Sequence, residues 1–341
     1  MRIVVDVSPL SHPRTGVGNY IRGSLRGLAG TSHEVVAFAP VTPEGRRSVE
    51  EALEGIEVER HLPALPAAHA VRTAWSRLGR PPAERFVGRF DVLHFSDWMY
   101  PAQRGGIRST MVHDLVPLHH PEWVHRRTER MHGAKYAHAA RTCDVVVANS
   151  RFTADDVATT LGFPRERIHV AYPAVDPAFS ADGPRAEGDY VLTVGTLEPR
   201  KNLTLAIDGV RGRELRVVGA RGWGGVEARG EHVTWLGYPD DAELARQYRG
   251  AAVVVYPSRF EGFGMPIAEA MACGVPVVAS SHPSLDEACG DVALRASDPD
   301  EVAEAIDDAV ARRDELRARG LEHARRFTAE ANALAHLQAW S

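Results

Sequence analysis

Residues 253–279 read VVVYPSRFEGFGMPIAEAMACGVPVVA, and this order of residue types decides the fold. Val253–Tyr256 is a short continuous apolar run, the pattern of a strand buried on both faces of a parallel sheet. Pro257 ends it. A glycine-rich loop follows, and Pro266 then stands where a helix opens, at its N1 position, with Glu269 expected in the first turn. Beyond the helix, 276–279 is apolar again. Strand, loop, helix and strand within one short stretch make a βαβ unit, whose strands must run parallel.

The same rhythm extends in both directions. Upstream, apolar runs at 2–7, 35–39, 92–95, 110–113, 145–148 and 168–171 predict strands, and helix-like stretches lie between them. Nearer the motif come 190–194, 215–218 and 233–236. Two helix starts are legible. Asp240 precedes Glu243 at capping-box spacing, and Asp298-Pro299-Asp300-Glu301 places a cap, a proline at N1 and an acid at N3. Residues 176–189, DPAFSADGPRAEGD, show neither period and divide the units into two sets. The expectation is α/β: two doubly wound, Rossmann-like domains, 1–176 and 188–327, facing each other across a cleft. From about Thr328 to Trp340 an amphipathic pattern predicts a terminal helix.

Composition excludes several classes. With 341 residues, 44% of them hydrophobic and 25% charged, the chain is not disordered and has apolar side chain for large cores. No apolar run approaches the length of a membrane-spanning helix, and the opening MRIVVDVSPL is too short in its apolar part for a secretory leader. Three irregularly spaced cysteines (Cys143, Cys273, Cys289) suggest neither a disulfide framework nor a zinc site, which fits a cytoplasmic protein. The net charge of −5 argues against nucleic acid as a partner. It is unevenly spread. Residues 1–178 hold 22 Lys and Arg against 19 Asp and Glu, a balance of +3, and the remainder carries −8. Only two of the 40 basic residues are lysines, Lys135 and Lys201.

Four segments carry chemistry. Thr15-Gly16-Val17-Gly18-Asn19 follows the first strand and opens a helix, where Gly16 and Gly18 allow a ligand near the backbone. It is no dinucleotide fingerprint, because Ile21 stands where a third glycine belongs and no acid ends the second strand. His113-Asp114 ends a strand, on the edge where open α/β sheets bind ligands, although a lone histidine is more often a packing residue. Arg200-Lys201, in the run GTLEPRKN, concentrates two cations at a strand-to-helix turn suited to a diphosphate, where the bland reading is a solvated pair. In the fourth segment Glu261 and Glu269 stand eight residues apart, around Gly262, Phe263, Gly264 and Met265. Carboxylates and exposed backbone N–H groups suit hydroxyls of a sugar or ribose, with Phe263 and Met265 as apolar walls.

The fourth segment resembles the E-x7-E signature of glycosyltransferase family 4, retaining enzymes of GT-B fold, and the likeness spans nearly the whole chain. Thr15–Gly18 is similar to that family's front loop, His113-Asp114 to its cleft histidine motif and Arg200-Lys201 to its pyrophosphate clamp. Val233–Tyr238, with Gly237 and Tyr238, is similar to the segment under the nucleobase. The resemblance implies that Glu261 contacts the transferred sugar, with Gly262, Phe263 and Gly264 offering N–H groups to its hydroxyls. It implies that Glu269 holds the ribose, Arg200 and Lys201 the leaving diphosphate, and His113 the donor sugar. It also implies that the terminal helix, 328–341, crosses back to the front domain. Many family members carry a further basic residue where this chain has Thr196, so the Arg200-Lys201 pair is expected to carry the diphosphate charge alone.

Within the family the motifs look most like mannosyl- and rhamnosyltransferases of polysaccharide assembly. GDP-mannose is the first expectation for the donor, a UDP-sugar the second, and a glycan, glycolipid or small molecule the unidentified acceptor. No cofactor and no metal are expected. Fixed cations can stabilise the departing diphosphate, and the literal D-x-D at Asp298–Asp300 reads better as a helix cap. A nucleotide-sugar epimerase is the alternative of a second class; it would act on the donor alone. Residues 71–90, with five arginines among Trp75, Leu78, Phe86 and Phe90, offer a peripheral contact with anionic lipid, against the plainer reading of an arginine-rich surface over a small apolar cluster.

Overall fold

A computed structural model describes residues 1–96 and 101–341. The chain divides into two compact units, Met1–Ala174 with Thr328–Ser341, and Val175–Phe327. In the first, seven parallel strands are ordered β3-β2-β1-β4-β5-β6-β7: β1 (Arg2–Asp6), β2 (Glu34–Phe38), β3 (Glu59–His61), β4 (Val92–Phe95), β5 (Ile107–Val112), β6 (Val145–Ala148) and β7 (Ile168–Val170). In the second, six parallel strands are ordered β10-β9-β8-β11-β12-β13: β8 (Tyr190–Val194), β9 (Glu214–Val218), β10 (Val233–Trp235), β11 (Val253–Tyr256), β12 (Val277–Ala279) and β13 (Leu294–Arg295). Both are Rossmann-like. The order reverses beside β1 and beside β8, and open sheets of this kind bind ligands at their carboxyl ends near such points.

The sequence determines most of these elements directly. The strands with continuous Val, Ile and Leu runs are buried on both faces, β11 throughout. Thr15 accepts a hydrogen bond from the Gly18 N–H and caps the front helix Gly16–Ala29. Asp240 and Asp298 cap their helices through Glu243 and Glu301, as the spacing predicted. Asp298 is thus occupied as a helix cap, and Asp300 pairs with Arg211. Two strands were not legible. β3 and β13 are short sheet edges of mixed polarity, without the apolar run that marks a central strand.

The terminal helix Ala329–Ala339 packs on the front helix within the first unit. Their contact is so close at Gly27 that a Cβ there would lie 1.9 Å from the Ala329 carbonyl oxygen. The aperiodic stretch 176–189 is not a loose tether but lies on the helix Asp241–Gly250. The Arg249 guanidinium donates to the carbonyls of Pro184 (2.6 Å) and Ser180 (3.2 Å), and the Phe179 and Tyr248 rings meet edge to face.

Two expectations about side chains are corrected, and a third is decided for the plainer reading of an apolar cluster beneath 71–90. Phe263 is buried against Phe327, ring to ring at 5.0 Å, so it is core and not a wall of a site. Glu269 lies one turn further into its helix, Met265–Ala272, than the first turn, because the helix starts at Met265. Trp75 and Phe90 sit in the core with Phe38, which leaves Leu78 and Phe86 as the exposed apolar residues they were grouped with.

Candidate functional site

In the second unit the site is built at the carboxyl ends of β8 and β11. Beyond β8 the turn Pro199–Lys201 is a single 3-10 turn, followed by the seven-residue helix Leu203–Gly209. The cations therefore precede a very short helix, so their own charge and not a helix dipole dominates here. Asn202 takes the left-handed conformation (φ 53°) that lets the chain turn between the two. The stem of Lys201 crosses Gly195, where a Cβ would lie 3.2 Å from its Cδ.

Beyond β11 the loop brings Glu261 onto both cations. Lys201 Nζ lies 2.6 Å from Glu261 Oε1, and Arg200 Nη1 lies 2.7 Å from Oε2. Arg200 is held from the other side by Glu198 (2.8 Å) and donates to the Phe260 carbonyl (3.0 Å). Oε1 also accepts from Tyr256 Oη (2.8 Å) and Ser258 Oγ (2.5 Å), while the Glu261 N–H donates to Ser284 Oγ (3.0 Å). Glu261 is only 7% exposed. Burial alone would raise its carboxyl, but Arg200 and then Lys201 hold it down at about 2. Burial lowers Lys201, against the pull of Glu261. Tyr256 is raised well above the usual phenol range by burial and by Glu261, so it remains a donor.

Glu269 has a hydrogen bond of its own. It is buried, and its Oε2 accepts from Tyr248 Oη at 3.1 Å. Both carboxylates raise the Tyr256 phenol electrostatically, Glu261 the more strongly. Gly264 adopts φ 98° at the helix start, a conformation that favours glycine. Gly262 is buried, and Met265 is half-buried. Gly237 turns the chain after β10 with φ 71°, and Tyr238 beside it is exposed, as is Trp235 under the Arg221 guanidinium.

In the first unit His113 follows β5. Its ring meets Tyr20 of the front helix edge to face at 5.1 Å, one turn after Gly16 and Gly18. Burial pushes His113 down to about 3, helped by Lys135 and His132, so the ring is neutral at pH 7. Its Nε2 is buried without a hydrogen-bond partner among the described residues. Asp114 Oδ1 accepts from the Val116 N–H (3.0 Å), which makes it a turn-forming residue.

The structure thus joins Arg200, Lys201 and Glu261 into one cluster, and it adds Tyr256, Ser258 and Ser284, to which the sequence reading gave no role. Ser258 lies three residues before Glu261, a spacing that could have flagged it. Ser284 is far along the chain and had no such signal. A paired-cation turn with a carboxylate beneath it can receive an anionic leaving group and present hydrogen-bond acceptors to hydroxyls.

Comparisons with known proteins identify the family and the fold. Residues 14–179 match the family model described as Glycosyltransferase Family 4, and residues 188–312 match that of Glycosyl transferases group 1. The chain is 28% identical to O-antigen chain mannosyltransferase B of Escherichia coli, over 97% of each chain. It is also 28% identical to D-inositol 3-phosphate glycosyltransferase of Xylanimonas cellulosilytica, over 81% of this chain and 79% of that one. Among solved structures, Anabaena Alr3699/HepE in complex with UDP superposes with a TM-score of 0.70 at 18% identity, covering 99% of each chain.

Proposed function

Because the chain belongs to glycosyltransferase family 4 and has the GT-B fold, we propose that it transfers a hexose from a nucleotide-diphosphate sugar to a hydroxyl acceptor, with retention at the anomeric carbon. The observation that carries this reading is the cluster of Arg200 and Lys201 on Glu261 at the carboxyl ends of β8 and β11. Cleaving the sugar–phosphate bond leaves a diphosphate that gains negative charge, and two positioned cations stabilise it without a divalent metal. Glu261 and the backbone of Gly262–Gly264 then face the transferred sugar, Glu269 the ribose, and His113 the donor sugar.

Mannose, carried by GDP, is the proposed sugar. It is supported by the motif likeness and by the name of the Escherichia coli relative. The acceptor is assigned to surface glycan or glycolipid synthesis. A donor panel scored by nucleotide-diphosphate release tests this: GDP-mannose should lead, and turnover only with UDP-glucose would replace it by the UDP-sugar reading. Isomerisation of the donor without an acceptor would favour an epimerase.

A peripheral contact with anionic membrane is proposed for the segment 71–90. It is supported by exposed Leu78 (73%), Phe86, Arg77, Arg80, Arg85 and Arg89. Among the described residues no helix is long and apolar enough to cross a membrane. Co-sedimentation with anionic vesicles should be lost at high salt, and absence of any binding removes the contact.

A further inference from the structure

The first unit holds a second buried polar atom without a partner next to His113. Asn149 directly follows β6, is only 7% exposed, and its Oδ1 is enclosed with no hydrogen-bond partner among the described residues. β5 and β6 pair in parallel with Val112 opposite Ala148, so His113 and Asn149 are the next residues along two adjacent strands, about 5 Å apart in backbone. Val112 and Ala148 pack in one core cluster, whereas Met111 and Val147 pack in the cluster that includes the front helix. Side chains alternate along a strand, so His113 and Asn149 fall on the front-helix face. The contact of His113 with Tyr20 is on that face. The two strand ends are also tied together, since Thr153 Oγ1, bonded to Ser150 Oγ at 3.0 Å, reaches the His113 carbonyl at 3.5 Å.

Buried polar groups are nearly always paired, and two orphans on adjacent strand ends, at the edge where open α/β sheets bind ligands, are two groups that a ligand there could satisfy. Their chemistry is specific. Asn149 Oδ1 only accepts, and the neutral His113 Nε2 donates or accepts according to tautomer. An anion has no proton to give and would leave Asn149 Oδ1 unsatisfied, and a carbonyl would likewise satisfy one group at most. A hydroxyl satisfies both: it donates to Asn149 and accepts from His113.

We propose that Asn149 Oδ1 and His113 Nε2 together hold one sugar hydroxyl, which makes Asn149 a binding residue of the first unit. The inference rests on the glycosyltransferase reading for the identity of the hydroxyl as a sugar's. That hydroxyl belongs either to the transferred sugar or to the acceptor.

The test uses the full chain and six probes: GDP-mannose and UDP-glucose, the matching free nucleotides GDP and UDP, and methyl α-mannoside and methyl α-glucoside at millimolar concentration. Asn149→Ala should lose about tenfold in affinity for the nucleotide sugar, with free-nucleotide affinity unchanged, if the hydroxyl is the donor's. If it is the acceptor's, the variant should instead lose the saturation-transfer signal of the methyl glycoside and keep both donor affinities. Asn149→Ser, which retains a smaller acceptor, should recover part of either loss. Melting temperature should not fall in Asn149→Ala, because an unpartnered polar group is removed; a merely structural asparagine would lower it. Unchanged binding of every probe in both variants, or a lowered melting temperature with unchanged binding, overturns the proposal. Failure of the native chain to bind any nucleotide or nucleotide sugar would instead count against the glycosyltransferase reading.

Discussion

Lys201 Nζ and Glu261 Oε1 are 2.6 Å apart, and the same carboxylate takes Arg200 on its other oxygen. Glu198 holds Arg200 from behind, so the cluster contains two cations and two carboxylates. On the proposed reading, the diphosphate of a donor would meet cations that are already aligned and already paired with carboxylates. Glu261 fixes the geometry of both cations and must remain ionised to do so. Its depressed carboxyl, at about 2, ensures that across the physiological range.

Glu261→Ala and Glu269→Ala should both cripple turnover but through different parameters. Glu261 is held by Arg200 and Lys201, the cations proposed to receive the leaving diphosphate, so its loss should lower kcat and leave KM for the donor nearly unchanged. Glu269 accepts from Tyr248 and is proposed to hold the ribose, whose contacts exist before and during reaction, so its loss should mainly raise KM. Steady-state kinetics separate the two. Near-normal kcat/KM in either variant would remove that residue from the site.

Arg200→Ala and Lys201→Ala should each cost about tenfold to a thousandfold in kcat/KM, the range for a desolvated charge contact. The double variant should fall short of the product of the singles, because both cations share Glu261. Activity should persist in excess EDTA. Loss with EDTA and recovery with magnesium or manganese would show that a metal, not this pair, carries the diphosphate charge.

Acid should destabilise the first unit through histidines buried without charge. His336 of the terminal helix is 1% exposed among Tyr20, His94 and Trp340, and burial holds it at about 3. An unfolded histidine titrates near 6.5, so between these values the unfolded chain binds more protons. Stability is intact above about pH 6.5 and falls as pH drops toward 3, by about 2 kcal/mol per such histidine at pH 5. Urea midpoints at pH 7 and pH 5 should differ less in His336→Leu than in the native chain. An equal difference would mean that His336 is not buried neutral.

Gly27→Ala should lower the melting temperature more than an ordinary surface substitution. The added methyl would lie 1.9 Å from the Ala329 carbonyl oxygen and 2.9 Å from Ala333 Cβ, so the terminal and front helices must separate. Overpacking of this kind costs roughly 1–3 kcal/mol. Thermal unfolding measures it, and an unchanged midpoint would show that the helix pair has room to shift.

What the sequence by itself determined were the features encoded locally. Buried parallel strands need continuous apolar runs, and helix starts need a capping side chain within three residues, so β11, β12 and the caps at Asp240 and Asp298 were legible without a partner in view. The residue types of the site were legible for the same reason, since Glu261, Arg200 and Lys201 stand in short runs at strand ends. What only the tertiary structure decided is which atoms meet. Phe263 reads as an exposed loop residue until Phe327, 64 positions later, covers it. Ser284 enters the site from the segment beyond β12, and Asn149 reads as an ordinary polar residue before a helix until the β5–β6 register sets it beside His113. Burial, the pairing of charges and the orphaning of polar atoms depend on contacts between distant parts of the chain, and no local pattern of residue types fixes those distances.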